Sequence, residues 1–171
     1  MLRKLKSKSL DVYYNFKYGI SNLFTWFKII WSNRDYDQWY IYEILKFKLE
    51  RQSKYIRNHD TIESNKEISD KINLIVKLIK LEQEDYYSNE YSEYCKVEYN
   101  LDFFNRNIVE ERFEDYFKKY KRQYKILLKT YPELKEESKE CIAINLGQQN
   151  QNRCKELIFK LLSRNINTFW D

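Results

Sequence analysis

The stretch Ser64-Asn65-Lys66-Glu67-Ile68-Ser69-Asp70-Lys71-Ile72-Asn73-Leu74-Ile75-Val76-Lys77-Leu78-Ile79 decides the fold class. Ile68, Ile72, Ile75 and Ile79 recur at steps of four, three and four, which gathers them on one face of a helix. Ser64 and Glu67 have the spacing of a capping box, whose hydroxyl and carboxylate satisfy free amides at the helix start. The helix runs past Glu82. A continuation to Cys95 stays open, through a polar, tyrosine-dense run from Tyr86 to Tyr94.

The same periodicity extends towards the N-terminus. Tyr13, Phe16, Ile20, Leu23, Phe27 and Ile30 form one apolar stripe on a first helix from about Leu10 to Ile30. Residues 1–9 ahead of it are a basic arm carrying Arg3, Lys4, Lys6 and Lys8, read as a frayed terminus or as a phosphate or membrane contact. Asp35 or Asp37 is placed to cap a second helix that ends near Arg57. There Ile41, Leu45 and Leu49 make one row, and Tyr40, Ile44, Phe47 and Tyr55 its neighbour. His59 sits in the turn that follows, beside Asn58 and Asp60, as a solvated turn residue.

Towards the C-terminus, a fourth helix spans about Val109 to Thr130 with Phe113, Phe117, Tyr120, Tyr124 and Leu127 inward. It ends at Tyr131-Pro132, since the residue before proline is pushed out of the helical region. A fifth covers Glu133 to Leu146. Gly147 to Asn152 reads as a polar junction, or as the interior of one long helix. The last helix carries Cys154, Leu157, Ile158, Leu161 and Leu162. No repeat or linker interrupts the chain. The reading is all-α: one domain over residues 1–171, a single compact bundle of about five to six helices.

Composition supports this. Two glycines and one proline among 171 residues are too few for the many corners of an all-β fold. They also exclude glycine-rich phosphate loops and the dinucleotide fingerprint. A chain of this length buries roughly 70% of its unfolded surface. Sixteen Tyr, ten Phe and four Trp make the core aromatic-rich, with rings half-buried at helix seams so that hydroxyls keep partners.

The net charge of +5 is segregated. Residues 1–58 hold 12 basic and 5 acidic groups, residues 59–116 hold 7 and 15, and residues 117–171 hold 12 and 6. Basic flanks around an acidic centre either attract one another on folding or present a surface to an anionic partner.

Catalytic signatures are missing. Three cysteines (Cys95, Cys141, Cys154) without a CxxC pair suit a reducing compartment and no zinc site. One histidine cannot supply a diiron bundle. Glu82 with Asp85, and Glu110, Glu111 and Glu114, read as solvated acidic faces. No apolar run reaches the ~18–20 residues of a membrane span, and Leu23–Trp31 lacks the cleavage site of a signal peptide. The expectation is a non-enzymatic, soluble, intracellular protein, without cofactor, metal or membrane.

Trp31-Ser32-Asn33-Arg34-Asp35-Tyr36-Asp37-Gln38-Trp39-Tyr40 packs aromatics, carboxylates and an arginine into a turn. Either Arg34 pairs with a carboxylate and ties helix ends together, or it grips an anion while Tyr36 or Trp39 stacks on a planar base. In the second case Arg34, Asp35, Tyr36, Asp37, Trp39 and Arg51 form the ligand site. Arg153, Lys160 and Arg164 make a second basic face on the last helix. Phe169-Trp170-Asp171 reads as a terminus that docks on the body or on a second subunit.

Trp31-x-Asn33-Arg34-Asp35-Tyr36-Asp37, then Tyr42-x-Ile44-Leu45-Lys46-Phe47-Lys48-Leu49-Glu50-Arg51 and Lys54-Tyr55-Ile56, resembles a family of small uncharacterised proteins of tailed bacteriophages. That family reads Trp-Asn-Asp-Arg-Asp-Trp-Asp before a Leu-Lys-Phe-Lys-Leu-Glu-Arg helix and closes near Trp-Trp-Asp. Here Asn33 replaces an acid and Tyr36 a tryptophan. The likeness covers residues 23–57 and the last helix, and it implies a phage origin without an activity.

Together these point to an accessory, counter-defence protein that binds and sequesters an anionic small molecule such as a nucleotide immune signal, as a homo-oligomer. The alternatives are an interaction protein that blocks a host or defence protein, and a virion or packaging component. No recognised motif supports nucleic-acid binding.

Overall fold

A computed structural model describes residues 2–34, 36–59, 64–95 and 106–169. The described residues contain helices and no strand, so the all-α class stands. In order they are α1 (Leu2–Ser32), α2 (Gln38–Arg57), α3 (Asn65–Gln83), α4 (Tyr86–Asn89), α5 (Tyr91–Cys95), α6 (Arg106–Lys119), α7 (Lys121–Thr130) and α8 (Lys139–Asn165), with 3-10 turns at Pro132–Glu136 and Ile166–Thr168. The segments are more numerous than the five or six expected. Nor do they form a single bundle: the chain divides into two compact units, Met1–Phe47 and Lys48–Asp171, with the boundary inside α2. No described helix is long and apolar enough to cross a membrane.

In the first unit, α1 starts at Leu2 and so takes in the backbone of the expected arm. Its stripe does not face a core. Phe16 is 70% exposed, and Tyr13, Leu23, Phe27 and Ile30 are exposed too. Of this helix, Trp26 meets Phe47 edge-on at 4.9 Å. The turn between α1 and α2 closes through Asp37, whose amide donates to the Arg34 carbonyl at 3.2 Å. Asp37 Oδ1 accepts from the Trp39 amide at 2.8 Å, the bond of an N-cap.

The second unit holds two packed regions. In one, α3 buries Ile72, Ile75, Val76 and Ile79 and packs on α8. The last turns of α2 bury Leu49, Ser53 and Ile56; Ile41, Ile44 and Tyr55, expected in its apolar rows, are exposed. Ser53 is small enough for close approach, and its hydroxyl donates to Asn73 Oδ1 at 2.7 Å. The chain end docks here: Phe169 is buried, and its carbonyl accepts from Gln52 Nε2 at 2.7 Å. Trp170 and Asp171 lie outside the described residues.

The other region is aromatic. Phe113, Tyr116 and Phe117 of α6 and Leu127 of α7 pack with Ile142, Ala143 and Leu146 of α8, ringed by half-buried Tyr91, Tyr94, Tyr120 and Tyr124. The expected fourth helix is broken at Tyr120, which has φ −110° and ψ 35°. Residues seven apart on one helix stand ~10 Å apart along its axis, yet Phe117 and Tyr124 stack at 4.6 Å. The break makes that stack possible.

The structure settles three other boundaries of the periodic reading. Ser64 adopts φ 60° and makes no side-chain cap bond, because a capping hydroxyl needs an extended backbone to reach its amide. Glu67 pairs instead with Lys71 at 2.7 Å. The third helix stops at Gln83, where Asp85 turns left-handed with φ 48° before α4. Of the two readings of residues 147–152, the interior of one long helix holds: α8 is continuous, and Ser138 caps it by accepting from the Cys141 amide at 3.2 Å.

Candidate functional site

Asn150, Arg153, Leu157 and Lys160 recur at steps of three, four and three along α8, so they share one face. Facing them are Leu78 of α3, Tyr87 of α4, Tyr120 and, on α7, Gln123. Together they line a pocket of about 390 Å³.

Beside the pocket, α8 approaches α4 closely. A Cβ on Gly147 would stand 2.9 Å from the Tyr87 carbonyl oxygen and 3.3 Å from that of Ser88. One turn on, Gln151 locks the approach. Its Oε1 accepts from the Tyr87 amide at 3.1 Å, and its Nε2 donates to the Glu82 carbonyl at 3.1 Å and to Glu82 Oε2 at 2.7 Å. Glu82 is therefore buried rather than part of a solvated acidic face. Burial raises its carboxyl above the ordinary value, and Lys155, 3.2 Å away, acts the other way.

A second buried carboxylate holds the far wall. Glu90 accepts from Lys119 Nζ and from the Tyr120 hydroxyl. Burial, and after it the bond to Glu90, push the Tyr120 phenol upward, so it stays a neutral donor. Tyr87 is raised by burial first and then by Cys154 and Glu90. Cys154 Sγ donates to the Leu78 carbonyl at 3.5 Å, and burial followed by Glu82 pushes its thiol up to about 11. A thiol there is thiolate in only ~1 molecule in 10⁴ at neutral pH, too rarely for a nucleophile.

The polar groups left over define the chemistry. Asn150 is 7% exposed, and its Nδ2 has no partner. Its side chain lies against the Tyr116 hydroxyl: burial first and then Glu90 raise that phenol, and Asn150 acts the other way. With its oxygen turned to Arg153, the Gln123 amide accepts from Arg153 Nη1 at 3.2 Å and donates to the Tyr120 carbonyl at 3.3 Å. That leaves much of the guanidinium fork for another acceptor. Glu156 adds one carboxylate to the lining. Among the described residues, no three His, Cys, Asp or Glu side chains are placed to hold a metal ion.

The residues singled out in the sequence separate. Arg153 and Lys160 come together in the pocket wall; Arg164, one turn further on, is not part of the lining. Arg34, Tyr36, Asp37 and Trp39 lie at the turn of the first unit, while Asp35 is outside the described residues. There Arg34 Nη1 donates to the adjacent Asn33 carbonyl at 2.9 Å, Asp37 is used as the cap, and Tyr36 is 88% exposed. Trp31 stacks on Phe27 at 5.3 Å. Arg51 belongs to the second unit, more than three turns along α2 from Trp39.

Asn150, Gln123, Tyr87 and Tyr120 had escaped the sequence reading as site residues. The three-four-three spacing from Asn150 to Lys160 is the available signal, and it applies where residues 147–152 are the interior of one long helix. No protein-family model, curated protein or solved structure matches this chain.

Proposed function

We propose that the protein is a non-enzymatic binder of an anionic small molecule of nucleotide type, held in the α8 pocket of the second unit. The observation that carries this is a pocket whose lining brings Arg153 and Lys160 together with the rings of Tyr87 and Tyr120. Arg153 and Lys160 suit phosphate oxygens by charge and, for arginine, by fork geometry. Tyr87 and Tyr120 supply rings for a planar base. The neutral Cys154 thiol fits binding rather than turnover. In the phage setting implied by the sequence resemblance, sequestering a nucleotide immune signal is the corresponding role.

The test is native mass spectrometry of the purified protein, followed by calorimetry with a panel of nucleoside mono-, di- and cyclic dinucleotides. Arg153→Gln and Lys160→Gln should each weaken binding about tenfold or more, since each removes a charge-assisted contact; Arg34→Ala should leave it unchanged. Loss of binding in Arg34→Ala alone would return the site to the turn. A protein that carries no passenger and binds no member of the panel would sink the reading.

Tyr36 favours a second reading, an interaction protein, because a large ring 88% exposed at a turn is a typical contact group. A single stoichiometric host protein retained by the wild type and lost in Tyr36→Ala would support it.

A further inference from the structure

The uncovered stripe of α1 has a period of its own. Tyr13, Phe16, Ile20, Leu23, Phe27 and Ile30 alternate strictly at three and four residues, the alternation of a seven-residue repeat. That is the repeat of a seam between two supercoiling helices, because a 3.6-residue helix keeps such positions aligned only by winding around a partner. All six are exposed: 41% at Ile20 and between 54% and 70% at the others. Phe24 and Trp31, 78% and 75% exposed, flank the seam on one side. Aromatic side chains bury about 150–250 Å² each, so these eight together offer on the order of 900 Å². A stable dimer needs ~800 Å² from each partner.

Gly19 points the same way. It stands mid-helix, where glycine weakens an α-helix, and among the described residues nothing lies within 4 Å of where its Cβ would be. The other glycine, Gly147, is required by the Tyr87 carbonyl. Gly19 flanks the seam directly ahead of Ile20, where a second helix could approach the backbone. Four of the six cations of α1, Arg3, Lys4, Lys6 and Lys8, are gathered ahead of the stripe, and Lys17 and Lys28 accompany it, whereas helices that lie on membranes carry many cations along the polar face.

We infer that α1 is the docking surface for a second copy of this chain, which covers the stripe with its own α1 in a two-helix seam. This rests on the first unit alone and is independent of the pocket. Sedimentation velocity of the full chain at micromolar concentration should give a dimer. Leu23→Glu and Gly19→Leu, both at exposed positions, should each weaken dimerisation at least about tenfold while helical circular dichroism is kept. A wild-type monomer, or a dimer indifferent to both substitutions, would overturn the inference. So would a monomer that sediments with phosphatidylglycerol-containing vesicles, which would make the stripe a lipid contact.

Discussion

Gly147 is the residue on which the second unit turns. Alanine there gains about 1 kcal/mol of helix propensity, but its methyl would meet backbone oxygen at 2.9 Å, which cannot swing aside. Gly147→Ala should therefore destabilise by about 1–3 kcal/mol, the usual range for overpacking, measured by urea denaturation. The two described thiols should differ as sharply. Cys141 is partly exposed and Cys154 buried, the latter with its thiol at about 11. Alkylation mapped by peptide mass should label Cys141 in the native protein and Cys154 only as fast as the chain unfolds. Rapid native labelling of Cys154 would contradict both its burial and its raised thiol. Neither contrast is visible in the sequence, because a glycine and a cysteine announce neither their neighbours nor their depth.

At the scale of elements, strong periodicity was legible and breaks were not. Ile72, Ile75 and Ile79 are inward on α3, and Phe113 and Phe117 on α6, as their spacing required. The stop of α3 was hidden, since it depends on Asp85 at φ 48°, a conformation that Asp tolerates without demanding it. Asp85→Gly should be neutral or stabilising by up to ~1 kcal/mol, and Asp85→Val destabilising by ~1–2 kcal/mol, since a β-branched side chain is strained there. Equal effects of the two would mean that the left-handed turn is not kept. The break at Tyr120 was hidden for a related reason: its benefit, the Phe117–Tyr124 stack, lies in packing rather than in local preference.

For the whole molecule, the buried Glu82 should write a signature on pH dependence. Its native carboxyl titrates above the ordinary value, chiefly through burial. The native state thus holds that proton where the unfolded state has lost it. The associated stability is complete below the ordinary carboxylate value and is lost as pH rises through the raised native one. Glu82→Gln removes this titration and keeps an oxygen to accept from Gln151. Its stability relative to wild type should rise as pH increases above the ordinary carboxylate value; a difference independent of pH would remove Glu82 as the source. The sequence by itself determined the all-α class, because scarce glycine and proline with apolar steps of three and four permit little else. It also placed Arg153 and Lys160 on one helix as a basic face. Only the tertiary structure decided that the chain makes two units, that α1 leaves its stripe uncovered, and that Asn150, Tyr87 and Tyr120 join those cations around a pocket. Periodicity states which residues share a face; which faces meet depends on contacts between residues far apart in the chain, such as Gln151 with Glu82, that no local pattern encodes.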